Sequence, residues 1–229
     1  MTGQPALPHE PLGSEPPSGG PGKWPWLEIW IKPRAISRYY LNQPYQFRKL
    51  LLLAALGGAV MGLTDASIKP ETLDNNPLGL LLFGQLVLGV IGGLIGFYLV
   101  SYLVRVAGGW LGGTGDKEDL RTAIVYGFMV PSLVQGILWI PKFLVLGREA
   151  WIQKTVAAPF DNTPFMDNYS LFELCIAVWA IVVFVKAVAE AHRFSAWRSL
   201  GAVLLSLALF FVAAIIIIFF ITLLFSVFI

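Results

Sequence analysis

SLGAVLLSLALFFVAAIIIIFFITLLFSVFI, residues 199–229, runs thirty-one positions without a charged side chain. A helix rises 1.5 Å per residue, and a bilayer core of roughly 30 Å takes about 20 residues to cross, so this stretch spans a membrane with length to spare. Four further apolar runs precede it, at 50–64, 78–104, 120–140 and 171–188. With their flanking residues they predict spans at about 48–65, 78–104, 120–140, 171–190 and 199–229. None alternates apolar and polar residues as a membrane strand does. The fold class is therefore all-α, a polytopic integral membrane protein with five transmembrane helices.

Composition agrees. Hydrophobic residues make up 56% of the 229 and charged residues 13%, about half the charge that a water-soluble domain needs for its surface. Mean hydropathy is +0.71. The single Cys175 excludes a disulfide scaffold, and His9 and His192 are too few for a histidine-rich zinc site. No cofactor is implied, and a net charge of +2 offers no footprint for nucleic acid.

Outside the spans the chain changes character. Residues 1–23 are rich in proline and glycine and read as a disordered cytoplasmic tail. Residues 24–44 mix Trp24, Trp26, Trp30, Tyr39 and Tyr40 with Lys32, Arg34 and Arg38, the pattern of an amphipathic segment lying at the membrane interface. The five-helix domain occupies 45–229. Alternating loops then hold twelve Lys and Arg on one side (Lys23, Lys32, Arg34, Arg38, Arg48, Lys49, Arg105, Lys117, Arg121, Lys186, Arg193, Arg198) and four on the other (Lys69, Lys142, Arg148, Lys154). That bias predicts a multi-pass cell-membrane protein with a cytoplasmic N-terminus and an external C-terminus. The longest external loop, 141–170, is expected to hold a short interfacial helix and carries the sequon Asn168-Tyr169-Ser170.

Small residues mark helix packing. Gly58 and Gly62, Gly89 and Gly93, and Gly92 and Gly96 are each four apart, one turn of helix on one face, where a second backbone can approach closely. Packing of spans one and two within one subunit is the simpler account; a homo-oligomer through the same face is the alternative. Pro131 removes a backbone hydrogen bond in span three and predicts a kink, static or hinged, with Gln135 one turn on and able to reach the freed carbonyl.

Charged or polar groups inside a membrane are candidate sites. Lys186 and Glu190 lie four apart at the end of span four and share a face, with His192 following. They are either a cluster that docks a partner or relays a proton, or snorkelling side chains in a basic loop. The glycine-rich Gly112-Gly113-Thr114-Gly115 fits no phosphate-loop spacing and reads as a turn, after which Asp116, Glu118 and Asp119 favour the start of span three.

Three stretches now stand out together. Trp30-Ile31-Lys32-Pro33-Arg34 leads into span one. Leu111-Gly112-Gly113-Thr114-Gly115 leads into Ala123, Tyr126 and Pro131. Trp179 through Lys186 runs to His192, Ser195 and Trp197. Over about residues 30–225 this arrangement resembles the Yip1 domain family, in its compact, prokaryotic form. The resemblance implies five helices with the N-terminus inside, no catalysis, and no catalytic residue to carry over. Eukaryotic members are linked to Rab-type small GTPases and to traffic between endoplasmic reticulum and Golgi, which would be the membranes concerned in a eukaryote.

The reading is a non-catalytic scaffold or adaptor, in contact with membrane lipid and with a membrane or cytoplasmic protein partner. Glu28, Arg34, Gly112, Gly113, Tyr126, Pro131, Gln135, Lys186, Glu190 and His192 are the candidate partner-binding or structural residues. The rival is a transporter, channel or permease subunit with Pro131 and Gln135 lining a path.

Overall fold

The computed structural model describes residues 24–152 and 164–228. The tail at 1–23 and part of the long loop therefore lie outside the described residues. The elements are α1 (Pro25–Ile31), α2 (Pro33–Leu41), α3 (Phe47–Thr64), α4 (Pro70–Asn75), α5 (Leu78–Trp110), α6 (Lys117–Ile124), a π turn (Val125–Met129), α7 (Val130–Leu146), a 3-10 turn (Gly147–Trp151), α8 (Pro164–His192) and α9 (Ala196–Phe228). Among the described residues there is no strand, and five helices are long and apolar enough to cross a membrane.

The helices run past the apolar windows that announce them. Span one recruits Phe47, Arg48 and Lys49, reaching 18 residues, or about 27 Å. Span three continues through Pro141, which sits inside α7 rather than ending it; a neighbouring span can tolerate such a proline. The sequon falls within α8, where the Tyr169 hydroxyl donates to Leu138 O at 2.9 Å, so it belongs to a packed helix rather than a loop. In the described part of the long loop, the end of α7 tightens into the 3-10 turn, whose Trp151 Nε1 donates to Leu63 O at 2.8 Å; residues 153–163, the rest of the stretch expected to hold an interfacial helix, lie outside the described residues.

The closest pairing in the bundle is α3 on α5, and glycine makes it. A Cβ on Gly58 would strike Gly89 O and Gly93 Cα; one on Gly62 would strike Gln85 O and Gly89 Cα; one on Gly93 would meet Ala54 O and Gly58 Cα. The two backbones touch with no side chain between them. The register is antiparallel, 54 with 93, 58 with 89 and 93, 62 with 85 and 89. Continued along both helices, it sets Phe47 beside Val100 and Thr64 beside Phe83. Gly92 and Gly96 take no part in this crossing. Nothing lies within 4 Å of a Cβ on Gly92, and one on Gly96 reaches only Met129 Cε at 4.0 Å.

Two consequences position everything else. First, α3 is about as long as a bilayer core is thick, and in this register the stretch of α5 from Ser101 to Trp110 extends past Phe47, the first residue of α3. Second, α9 packs on the bundle only near its start, where Ser199 Oγ donates to Val185 O at 2.7 Å and Ala202 and Ser206 are buried. Beyond Ser206 every described residue of α9 is at least partly exposed, as lipid contact requires.

Candidate functional site: the polar end of the bundle

The candidate residues gather at the end of the bundle where α5 stops and α6 starts. Three local structures build it. The first is the seat of α1 and α2. Proline begins each helix, where a missing N–H costs nothing. Ile29 and Ile36 are buried in one cluster with Leu50, Phe97, Val130 and Val183. Trp179 Nε1 donates to Trp30 O at 2.8 Å, and Arg38 Nε donates to Glu190 Oε1 at 2.5 Å. That hydrogen bond, and then the attraction between the two charges, raise the Arg38 pKa above its ordinary value, burial working the other way. The Tyr40 ring stacks on Tyr126 with centroids 3.6 Å apart, and Lys49 Nζ stands 5.7 and 5.9 Å from the two rings.

α1 packs against α7. The residue just before α7, Met129, lies beside Gly57, close to the middle of α3. Glu28 is half-buried there and Arg34 is exposed. Lys186 does not take Glu190 as its partner, although four residues separate them. Its Nζ lies 5.6 Å from the Trp179 ring, while Glu190 goes to Arg38, 152 residues away.

The second structure answers Pro131. Proline offers no N–H, and in a regular helix its ring would collide with the carbonyl four residues back. The chain widens by one residue instead: Val130 N donates to Val125 O across the π turn. Tyr126 sits on this turn. So does Gly127, where a Cβ would lie 2.5 Å from Ala187 Cβ, bringing span three against span four. Pro131 is fully buried. Gln135, one turn on, lines a cavity of about 360 Å³ with Asp65, Lys142 and Glu173, toward the other end of the bundle. Lys142 and Glu173 pair there at 3.4 Å.

The third structure is a latch around His192. α5 ends in a Schellman turn, with Gly112 at φ +81°, Gly113 N bonded to Gly108 O at 2.8 Å and Gly112 N to Gly109 O at 2.9 Å. α8 ends in the same way, with Phe194 N bonded to Ala189 O at 2.7 Å and Arg193 N to Glu190 O at 3.2 Å. The His192 ring lies between the two ends and is buried. Val104 O, 3.2 Å from Nε2, can only accept, so Nε2 carries the proton; Gly115 N–H donates to Nδ1 at 3.3 Å. Phe194 stacks on the ring at 5.1 Å. A Cβ on Gly108 or Gly113 would collide with the imidazole. The glycine turn is thus moulded to one side chain, and Asp116 then caps α6 by accepting from Glu118 N and Asp119 N, both at 2.8 Å. With both ring nitrogens engaged, His192 holds structure together and offers no free base.

Arg193 takes φ +57°, where a side chain crowds its own backbone. Arg193→Gly is expected to stabilise the protein by about 1 kcal/mol, read as a higher melting temperature in detergent. An unchanged or lower value would show that Arg193 contributes more than it strains.

Glu190, His192, Gly112, Gly113 and Tyr126 therefore meet at one end of the bundle, with Lys186 nearby, while Gln135 stands apart. The partners that complete the site, Arg38, Tyr40, Trp179, Gly108, Gly115 and Phe194, were not among the candidates. Glu190 carried the one usable signal, since a lone carboxylate leaving an apolar span requires a cation. Among the described residues no group of three His, Cys, Asp or Glu is placed to hold a metal.

No curated protein and no solved structure matches this chain. A family model, the Yip1 domain, matches residues 27–228, from α1 to the end of α9. That match takes in every element of the polar end as well as all five spans, and the chain belongs to the Yip1 domain family.

Proposed function

We propose that the chain is a non-catalytic scaffold or adaptor that assembles a protein partner at the end of the bundle carrying α1, α2 and the α8–α9 turn. One observation carries the reading. The inner faces of α1 and α2 are pinned by Arg38–Glu190, Trp30–Trp179 and Tyr40–Tyr126, while the outer positions Leu27, Ile31, Lys32 and Arg34 stay exposed. A rigid backing with an exposed apolar and cationic front suits recognition. The loop charges favour a cytoplasmic position for this face. A membrane family linked to traffic fits such work; which partner it takes is left to capture.

The rival reading, a transporter, channel or permease subunit, has one observation in its favour, the polar cavity around Asp65, Gln135, Lys142 and Glu173. Photocrosslinking in native membranes separates the two. A probe at Ile31 or Arg34 is expected to trap one discrete protein, a probe at Leu207 only lipid, and Ile31→Asp is expected to abolish the adduct. Solute flux through the purified protein in proteoliposomes, with no specific adduct, would replace the scaffold by a transporter.

A further inference from the structure

Beside the latch, on the outer surface of α5 and α6, six residues line a cavity of about 230 Å³: Tyr98, Ser101, Tyr102, Arg105, Lys117 and Arg121. The first four follow one another at helical spacing on α5, and the last two are four apart on α6, so two faces oppose each other. Arg105, Lys117 and Arg121 bring three positive charges to this space. None makes an ion pair among the described residues, whose pairs are Arg38–Glu190, Lys142–Glu173 and Arg148–Glu149. The Arg121 guanidinium is held on the Tyr98 ring at 4.9 Å and donates to the Tyr45 hydroxyl at 3.5 Å, a fixed cation rather than a waving one. Ser101 is engaged with the Phe97 and Tyr98 carbonyls. Tyr98 and Tyr102, 42% and 63% exposed, also line the cavity.

The level of the cavity limits what fills it. The α3–α5 register puts Val100 beside Phe47, the start of a helix as long as the bilayer core. Tyr98 to Arg105 therefore straddles the boundary where hydrocarbon gives way to headgroups, a layer of roughly 5–8 Å. From Tyr98 the same face of α5 continues downward as Ile95, Ile91 and Leu88, all exposed. A free anion would need only the cations. A cation cluster at headgroup level above an uncovered apolar stripe fits a molecule with both parts.

We propose that this is a binding site for an anionic phospholipid. Its phosphate is held by Arg105, Lys117 and Arg121 with the tyrosine hydroxyls, and one acyl chain lies along Ile95, Ile91 and Leu88. The site is separate from the partner face of α1 and α2 and stands whether or not that face binds a protein.

Native mass spectrometry of the full chain, released from micelles doped equally with phosphatidylglycerol and phosphatidylcholine, tests it. Wild-type protein is expected to retain phosphatidylglycerol roughly tenfold over phosphatidylcholine, from the attraction of clustered basic residues for anionic lipid. Arg105→Gln/Lys117→Gln/Arg121→Gln is expected to bring the ratio to parity, while the control Lys32→Gln/Arg34→Gln/Arg48→Gln keeps it. If the triple variant loses the wild-type circular dichroism, Arg105→Gln/Lys117→Gln, both changes at exposed positions, is expected to lower the preference to about threefold. A wild-type ratio near one, a preference that survives the cavity variants, or equal loss in the control overturns the site. Displacement of the lipid by inorganic phosphate would mean that a free anion is the ligand and overturns the lipid assignment.

Discussion

Gly58→Ala is expected to lower the melting temperature of the detergent-purified protein sharply, and Gly58→Leu to prevent recovery of a monodisperse protein. Alanine is the better helix former by about 1 kcal/mol, so on propensity alone the change would help. Here the new Cβ would meet Gly89 O and Gly93 Cα, the latter at 2.6 Å. Both obstacles are backbone, which no rotamer change can move aside. Either α3 and α5 separate along the whole crossing or both bend, and the net cost is expected at about 2–4 kcal/mol. Gly89→Ala, facing Gly58 O and Gly62 Cα, should behave alike. Gly92→Ala is the internal control: its Cβ enters open space, and the protein should melt at the wild-type temperature or slightly above it. Equal melting of Gly58→Ala and Gly92→Ala would remove the crossing from the account of this fold.

His192→Phe carries the second large effect. The ring is replaced by one of similar size that can still stack on Phe194, so the loss isolates hydrogen bonding. Val104 O keeps its helical partner, but Gly115 N–H is left without an acceptor in a half-buried turn. A destabilisation of about 2 kcal/mol is expected, and about 3 kcal/mol or more for His192→Ala, which also empties the space that Gly108 and Gly113 enclose. The damage should be local. Limited trypsin digestion at Lys117 and Arg193 is expected to accelerate in His192→Phe while the spans stay protected. If the digestion pattern and the melting temperature match wild type, the latch is not what joins α5 to α8.

The five spans are legible because lipid imposes a blunt requirement, a long predominantly apolar run, that tertiary contacts do not supply. Their ends are less legible. Helices continue past the apolar window, as α5 does through Arg105 to Trp110, and Pro141 passes unnoticed inside α7. The glycine pairs illustrate a different limit. Gly89 with Gly93 and Gly92 with Gly96 have identical spacing on one helix, and only the position of α3 decides which pair is used. Glu190 illustrates a third. A cation four residues away is the local expectation, yet Arg38 approaches from a helix 152 residues earlier, and no periodicity encodes that meeting. At His192 the sequence left a polar cluster and a plain basic loop both open, and nothing in it shows that Gly108 and Gly113 leave the room that the ring fills.

The seat of α1 and α2 bears on the membrane as well as on the bundle. The pair packs on α6, α7 and α8 at the end where Arg38 meets Glu190, and so widens the bundle at that end. A molecule wider in one monolayer than in the other is a wedge. Where many copies gather, the monolayer with the larger footprint must expand relative to its neighbour, and the bilayer relieves the mismatch by bending away from the narrow side.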